Sequence, residues 1–319
     1  MERTLKVVAL AGGVGGAKFA DGLNRLLPPE NLTVIVNTGD DFEHLGLYIC
    51  PDLDTVCYTL AGMANPQTGW GLAGETFRAL EHVEALGGPG WFHVGDRDLG
   101  THLERTRSLK LGQPLSQITR RFCRVWGVSA AVLPMTDDPM PTVVLTTDGE
   151  MPFQEYFVHR QCQPTVTGFR FEGVEQARPA PGVLEALKAA NLVIFCPSNP
   201  WVSIDPILAV PGVRGALIEG RQQRDLPIVA VTPIIGGKTV KGPAAKMFAE
   251  LGIPPSALAV AEHYKGLCSG FVMDRVDENL FPAVQRLGMR VLMTDTLMQS
   301  TTDRIRLAEE VVSFFGEGL

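Results

Sequence analysis

The residues best suited to chemistry lie in the first fifty-four positions. Gly12-Gly13-Val14-Gly15-Gly16 is a turn that glycine backbones make freely, and Lys18 follows shortly after. A glycine turn feeding a helix presents unpaired backbone N–H groups and the positive end of the helix dipole, which suits a phosphate. Lys18 adds a point charge. A tight β-α turn without any ligand uses the same glycines. Asp40 and Asp41 close a predicted strand, and Asp52 and Asp54 open a predicted helix. Asp40 at a strand end together with Asp54 on the next helix is the sharpest pairing. A Mg²⁺ ion bridging phosphate oxygens is typically held by one or two carboxylates plus water. Other acidic residues have plainer uses. Asp52 suits a helix N-cap, Asp98 a cap for a helix at Thr101, and Asp137-Asp138-Pro139 a turn.

Two common nucleotide motifs fail. The dinucleotide fingerprint needs glycines at 13, 15 and 18 and an acidic residue ending the second strand. The chain has Lys18 and Asn37 there. A Walker A loop begun at Gly12 needs Gly-Lys-Ser/Thr at 17–19, where Ala17-Lys18-Phe19 stands. The residues alone point to a Mg²⁺-dependent enzyme acting on a phosphorylated or nucleotide substrate.

These residues need strands and helices to bring them together. Leu5–Ala11 is a continuous apolar run, as expected of a strand buried on both faces. A helix with Phe19, Leu23, Leu26 and Leu27 on one stripe follows, ends at Pro28-Pro29, and leads to a strand at Leu32–Asn37. Helical patterns at Leu53–Leu60, Gly74–Leu86, Thr101–Leu111 and Leu115–Trp126 mark residues 51–129 as a helical insertion. Thr142–Thr147 and Met151–His159 read as a hairpin across Asp148-Gly149-Glu150. Beyond it come helix Gly182–Ala190, strand Leu192–Cys196, a helix before Gly220, strand Pro227–Val231, strand Arg290–Met293 and helix Asp303–Phe315. The expected fold is α/β: a Rossmann-like, mostly parallel sheet from residues 1–50 and 130–319, flanked by helices, with ligands at the strands' carboxyl ends.

Composition narrows the partners. With 28 Lys+Arg against 35 Asp+Glu the formal net charge is −7, which argues against nucleic acid. The apolar runs are strand-sized, far short of the roughly 18–20 residues of a membrane span. Met1–Lys6 passes straight into Val7-Val8-Ala9-Leu10 without the apolar region of a signal peptide, so a soluble cytoplasmic protein is expected. The six cysteines form no C-x-x-C and read as buried, reduced thiols. The histidines show no H-x-x-x-H, so a zinc site is not expected.

The segments Ala11–Lys18, Asn37-Thr38-Gly39-Asp40-Asp41, Cys50-Pro51-Asp52-Leu53-Asp54-Thr55 and Gly95-Asp96-Arg97-Asp98 with Thr101-His102 resemble the 2-phospho-L-lactate transferases of coenzyme F-420 biosynthesis. So do Leu133–Asp138, Phe153-Gln154-Glu155, Pro197-Ser198-Asn199-Pro200, Pro233-Ile234-Ile235-Gly236 and Asp295-Thr296-Leu297-Met298. The matches are collinear from residue 9 to about residue 300. The resemblance implies transfer of a phospholactyl or phosphoenolpyruvyl group from a diphosphoguanosine donor. The acceptor is the terminal ribityl hydroxyl of 7,8-didemethyl-8-hydroxy-5-deazariboflavin, and GMP leaves. It also implies a Rossmann-like fold, commonly dimeric. Asp40 and Asp54 would hold Mg²⁺, with Asp54 also meeting the deazaflavin. Gly12, Gly13, Gly15, Gly16 and Lys18 would cradle phosphate, and Ser198 and Asn199 would meet either substrate. Where the family often has a basic residue near the deazaflavin, this chain has His93, which carries no permanent charge. The rival readings are a nucleotide-sugar-binding regulator of the same superfamily without transferase activity, and a nicotinamide-dependent oxidoreductase already weakened by Lys18 and Asn37.

Overall fold

A computed structural model describes residues 5–316; Met1–Thr4, part of the stretch read as lacking a leader, lie outside them. Seven strands of the main sheet are numbered here in chain order. They are β1 (Val7–Ala11), β2 (Leu32–Val36), β3 (Ala131–Pro134), β4 (Leu192–Phe195), β5 (Ile228–Val231), β6 (Gly270–Asp274) and β7 (Arg290–Thr294). Every pair of neighbours is parallel, and the order across the sheet is β3-β2-β1-β4-β5-β6-β7. That is the doubly wound order, and it reverses direction between β1 and β4, where a crevice opens at the strands' carboxyl ends.

The apolar runs make this sheet because both faces are covered. Alternate side chains leave a strand on opposite sides. Val8 and Leu10 join one core with Ile35, Phe195 and Ala230, while Val7, Ala9 and Ala11 join the other with Val34, Ile194 and Val229. Helix α1 (Gly13–Leu26) starts directly from β1 and lies against the C-terminal helix Thr301–Gly316. Helix α2 (Pro51–Leu60) buries Leu53, Val56, Cys57 and Leu60 in the second core, the stripe expected from spacing. Between β2 and β3 follow α3 (Arg78–Ala85), α4 (Asp96–Lys110) and α5 (Leu115–Val125). Of these, α5 packs beside β3.

Several expectations need correction. Helix α4 begins at Asp96 behind Gly95, so Asp98 sits in its first turn instead of capping a helix at Thr101. Asp52 does not cap α2; Cys50 holds the N-cap position without a side-chain bond, and Asp52 turns toward α1. Thr142–Thr146 pairs antiparallel with Gly149–Pro152 as expected, but the proposed strand stops there and Glu155–His159 coils into a helical turn. Several strands were not expected, among them the edge strand β3 and the short pairs Phe42–His44 with Leu47–Ile49 and Ile234–Ile235 with Lys238–Thr239; the two that matter most are Val166–Phe171, on the other side of Thr142–Thr146, and β6. Both contain glycine, which lowers local strand propensity, and both form because neighbouring strands pair with them. Cys50, Cys57, Cys123, Cys196 and Cys268 are buried free thiols, whereas Cys162 is half-buried. Among the described residues no single helix is long and apolar enough to cross a membrane.

Candidate active site

A cleft of about 820 Å³ lies at the β1/β4 crevice. Gly12, Gly13, Gly15, Lys18, Asp40, Asp54, His93, Ser198 and Asn199 all line it. Gly16 does not line the cleft. It stands behind, where a Cβ would come within 2.5 Å of Ser198 Oγ. The glycine turn is dictated by close approach. A Cβ on Gly15 would sit 2.3 Å from the Pro197 carbonyl oxygen, and one on Gly12 would sit 2.5 Å from Asp52 Oδ2. The loops after β1 and β4 are thereby held together, and Ser198 ties them further. Its Oγ accepts from Gly12 N at 3.2 Å and donates to Gly12 O at 2.8 Å. Asn199 Oδ1 accepts from Trp201 N at 3.0 Å and shapes the same loop.

Asp52 has a role that its helix position concealed. Its Oδ1 accepts the Gly13 N–H at 2.7 Å, and its Oδ2 accepts from Asn37 Nδ2 at 2.9 Å. Asn37 also donates to Val202 O and accepts from Gly39 N. The first orphan N–H of α1 is therefore taken by an internal carboxylate. Val14 and Gly15, in the same first turn, line the cleft behind it. Lys18 Nζ donates to Met298 O at 2.8 Å at the cleft wall, and burial followed by the charges of Arg304 and Lys241 lowers its pKa.

The carboxylates divide into two groups. Asp40 is buried, and desolvation followed by the charge of Asp52 pushes its pKa well above the usual range; Oδ1 has no partner. Burial likewise lifts Asp52 to about 6. Asp41 lies outside the cleft lining, buried, with both oxygens unpartnered. Asp54 belongs to a second group. Its Oδ1 pairs with the Arg105 guanidinium, while Oδ2 lies 3.7 Å from His102 Nδ1 and has no hydrogen-bond partner. Desolvation outweighs Arg105 and His102, and the Asp54 pKa is raised. Ligand atoms of Asp54, Asp98 and His102 come within 4.8 Å of one another, a spacing that could hold a metal ion. Asp40 and Asp54 both line the cleft and each holds a buried oxygen without a partner, the hard donor a divalent cation takes, but the cluster with metal-ligand spacing among the described residues joins Asp54 to Asp98 and His102 and not to Asp40.

An aromatic wall completes the cleft. Trp70, Trp91, Phe92, Phe153 and Phe157 line it, and Phe153 stacks on Phe157 at 5.4 Å and 10°. Sequence reasoning missed this wall, Arg105, and the bonds of Asp52 and Asn37. The Trp91-Phe92 pair in a loop was the available signal, since paired large aromatics outside any strand or helix ask for a contact. His93 adjoins the wall, with its ring 6.0 Å from that of Phe77.

Fold and site define the class: a doubly wound α/β protein whose cleft, at the topological switch point, combines a glycine turn, buried carboxylates and aromatics. Residues 7–309 match the family model described as 2-phospho-L-lactate transferase CofD, and the chain belongs to that family. It is 45% identical to a "Phosphoenolpyruvate transferase" of Streptomyces griseus, covering 96% of this chain and 99% of that one. It is 40% identical to a "2-phospho-L-lactate transferase" of Methanosarcina acetivorans, covering 97% and 99%. A solved Bacillus halodurans protein of the upf0052 family shares the fold with a TM-score of 0.65 at 16% identity, over 98% of this chain and 100% of that one. Membership makes the chain an enzyme that transfers a phosphate-containing group.

Proposed function

We propose that the enzyme transfers a phospholactyl or phosphoenolpyruvyl group from a diphosphoguanosine donor to the terminal ribityl hydroxyl of 7,8-didemethyl-8-hydroxy-5-deazariboflavin. GMP is released, and the product is a precursor of coenzyme F-420. One observation carries this reading. A single cleft joins a helix-heading glycine turn with Lys18, two buried carboxylates and an aromatic wall. A donor diphosphate needs the first two, and a planar deazaflavin needs the third.

In the step itself the hydroxyl oxygen bonds to the phosphorus of the phospholactyl group while the P–O bond to GMP breaks. The hydroxyl proton passes to a cleft acceptor or water. Such transfers depend mainly on positioning and charge neutralisation. The Val14 and Gly15 N–H groups and Lys18 bind the diphosphate oxygens. Asp54 Oδ2, free of other bonds, orients the attacking hydroxyl by accepting its hydrogen bond. The aromatic wall holds the ring so that the ribityl chain reaches the phosphorus, and His93 contacts ring or ribityl without a permanent charge. A Mg²⁺ ion held by Asp40 and Asp54 would neutralise charge on the diphosphate and offset the desolvation and the repulsion from Asp52 that raise the Asp40 pKa.

The test is incubation with deazaflavin, Mg²⁺ and each of the two donors, followed by mass spectrometry of the product. The expected result is a deazaflavin mass increased by one phospho-acid group, with GMP formed one for one. EDTA should abolish turnover and Mg²⁺ restore it. Binding of a nucleotide sugar with no donor-dependent change in the deazaflavin would refute the proposal in favour of the regulator reading.

A further inference from the structure

Arg105 is the largest fully buried side chain, 1% exposed, in a part of the molecule where sequence reasoning placed no cation. It rises from α4 and reaches α2, where Nη2 pairs with Asp54 Oδ1. Its Nη1 lies 3.2 Å from His102 Nδ1 and 3.4 Å from Tyr48 O. A guanidinium only donates, so His102 Nδ1 must accept, and the imidazole proton sits on Nε2. Nε2 then faces Asp98 Oδ2 at 3.5 Å. The other Asp98 oxygen accepts from Tyr58 OH at 2.6 Å, and Thr101 Oγ1 lies 2.8 Å from that hydroxyl. Hydrogen bonds thus join His102, Arg105 and Asp54 across α4 and α2, while Asp98, bonded by Tyr58, lies beside His102 Nε2 without a hydrogen bond to it.

A buried guanidinium–carboxylate pair is weak evidence for stability, because desolvation consumes most of the Coulombic gain and an apolar pair often serves as well. What such a pair does supply is geometry, through the fixed fork of the guanidinium. We propose that Arg105 is a positioning residue. It holds Asp54 Oδ1 and leaves Oδ2, on a residue that lines the cleft, as the carboxylate oxygen without a hydrogen-bond partner, while His102 Nδ1 and Tyr48 O keep Arg105 itself in register. The proposal rests on the transferase reading above, in which Asp54 orients the attacking hydroxyl. With Arg105 in place Asp54 is a one-oxygen group. Without it the carboxylate is free to rotate and present either oxygen at the wrong angle.

The experiment compares Arg105→Lys, Arg105→Met, Asp54→Asn and the double variant Asp54→Asn/Arg105→Met in the full chain. It reads kcat, the KM of donor and acceptor, and the thermal midpoint. Arg105→Met should lose roughly 10²-fold in kcat, the size of a misplacement of about 1 Å at the reacting centre. The loss should fall on kcat more than on either KM. Arg105→Lys keeps the charge but not the fork, and should recover only a small part of the loss. The double variant should be no slower than Asp54→Asn alone, because Arg105 acts only through Asp54. Either role lowers the midpoint of Arg105→Met, which strands a buried carboxylate; a merely structural role would instead raise both KM values and make the losses multiply. Wild-type kcat in Arg105→Met, or multiplying losses, overturns the proposal. Should the methionine variant not fold, Arg105→Lys with its own double variant carries the same comparison. Failure of the wild-type protein to modify the deazaflavin with either donor would refute the transferase reading instead, so the two failures are distinct.

Discussion

Replacing Gly15 by alanine adds one methyl group where the loops after β1 and β4 meet. The new Cβ would lie 2.3 Å from the Pro197 carbonyl oxygen, against 3.4 Å or more for an ordinary contact, so α1 and the 197–200 loop must part by about 1 Å. Pro197 is backbone and cannot swing aside. The parting would stretch both bonds between Ser198 and Gly12, each worth about 1 kcal/mol. Overpacking adds about 1–3 kcal/mol. Alanine's better helix propensity returns at most about 1 kcal/mol at this first turn. The net cost is roughly 2–4 kcal/mol. The same displacement moves the glycine turn, proposed above to bind phosphate, against the carboxylates, so turnover should fall by about 10²-fold even where the protein remains folded. Urea unfolding followed by circular dichroism gives the stability change, and the mass-spectrometric assay gives the rate. Gly100→Ala is the control. Gly100 lies inside α4, exposed, with no atom within 4 Å of its Cβ position, so alanine there should stabilise by up to about 1 kcal/mol. If Gly15→Ala matched wild type in both stability and rate, the close approach of the two loops would be refuted.

His93→Arg should change mainly the KM for the deazaflavin; an effect confined to the donor KM would put His93 at the wrong subsite. The apo protein should lose stability as pH rises toward 7.5. Burial lifts the folded pKa of Asp52 from 3.8 to about 6, so the native state binds this proton more tightly than the unfolded chain does. The favourable contribution is complete below the unfolded value and is lost as pH rises through about 6. Asp40 and Asp41, raised for the same reason, act in the same direction. Thermal midpoints in EDTA should therefore be higher at pH 5 than at pH 7.5, and Mg²⁺ should raise the pH 7.5 value most. A midpoint in EDTA that climbs steadily from pH 5 to 7.5 would contradict this.

Much of the scaffold was legible because its signals are local. The run Val7–Ala11, the glycines after it and the stripe Leu53, Val56, Cys57 and Leu60 each state their structure within about ten residues. β6 was not legible, because Gly270 and Asp274 at its ends hide a strand that exists only between β5 and β7. Glu155–His159 misled in the opposite way, since its run Tyr156-Phe157-Val158 reads as a strand but folds into a helical turn that stacks Phe157 on Phe153. Type and spacing singled out Asp40 and Asp54, and both line the cleft. What each faces was not found, because Asp52 reaches back to Gly13 and Asp54 forward to Arg105, partners 39 and 51 positions away.

The amino-acid order by itself determined the alternating β and α elements, the glycine turn and the set of candidate carboxylates, since hydrophobic period and backbone freedom are properties of a few consecutive residues. Only the tertiary structure decided which carboxylate does what. Asp52 closes the first N–H of α1, Asp40 is left with an unpartnered oxygen at the cleft, and Asp54 is pinned by a buried guanidinium. The reason is electrostatic. The charge state and free oxygens of an aspartate depend on burial and on the groups within a few ångströms, and those groups arrive from remote parts of the chain only when the sheet and its helices assemble.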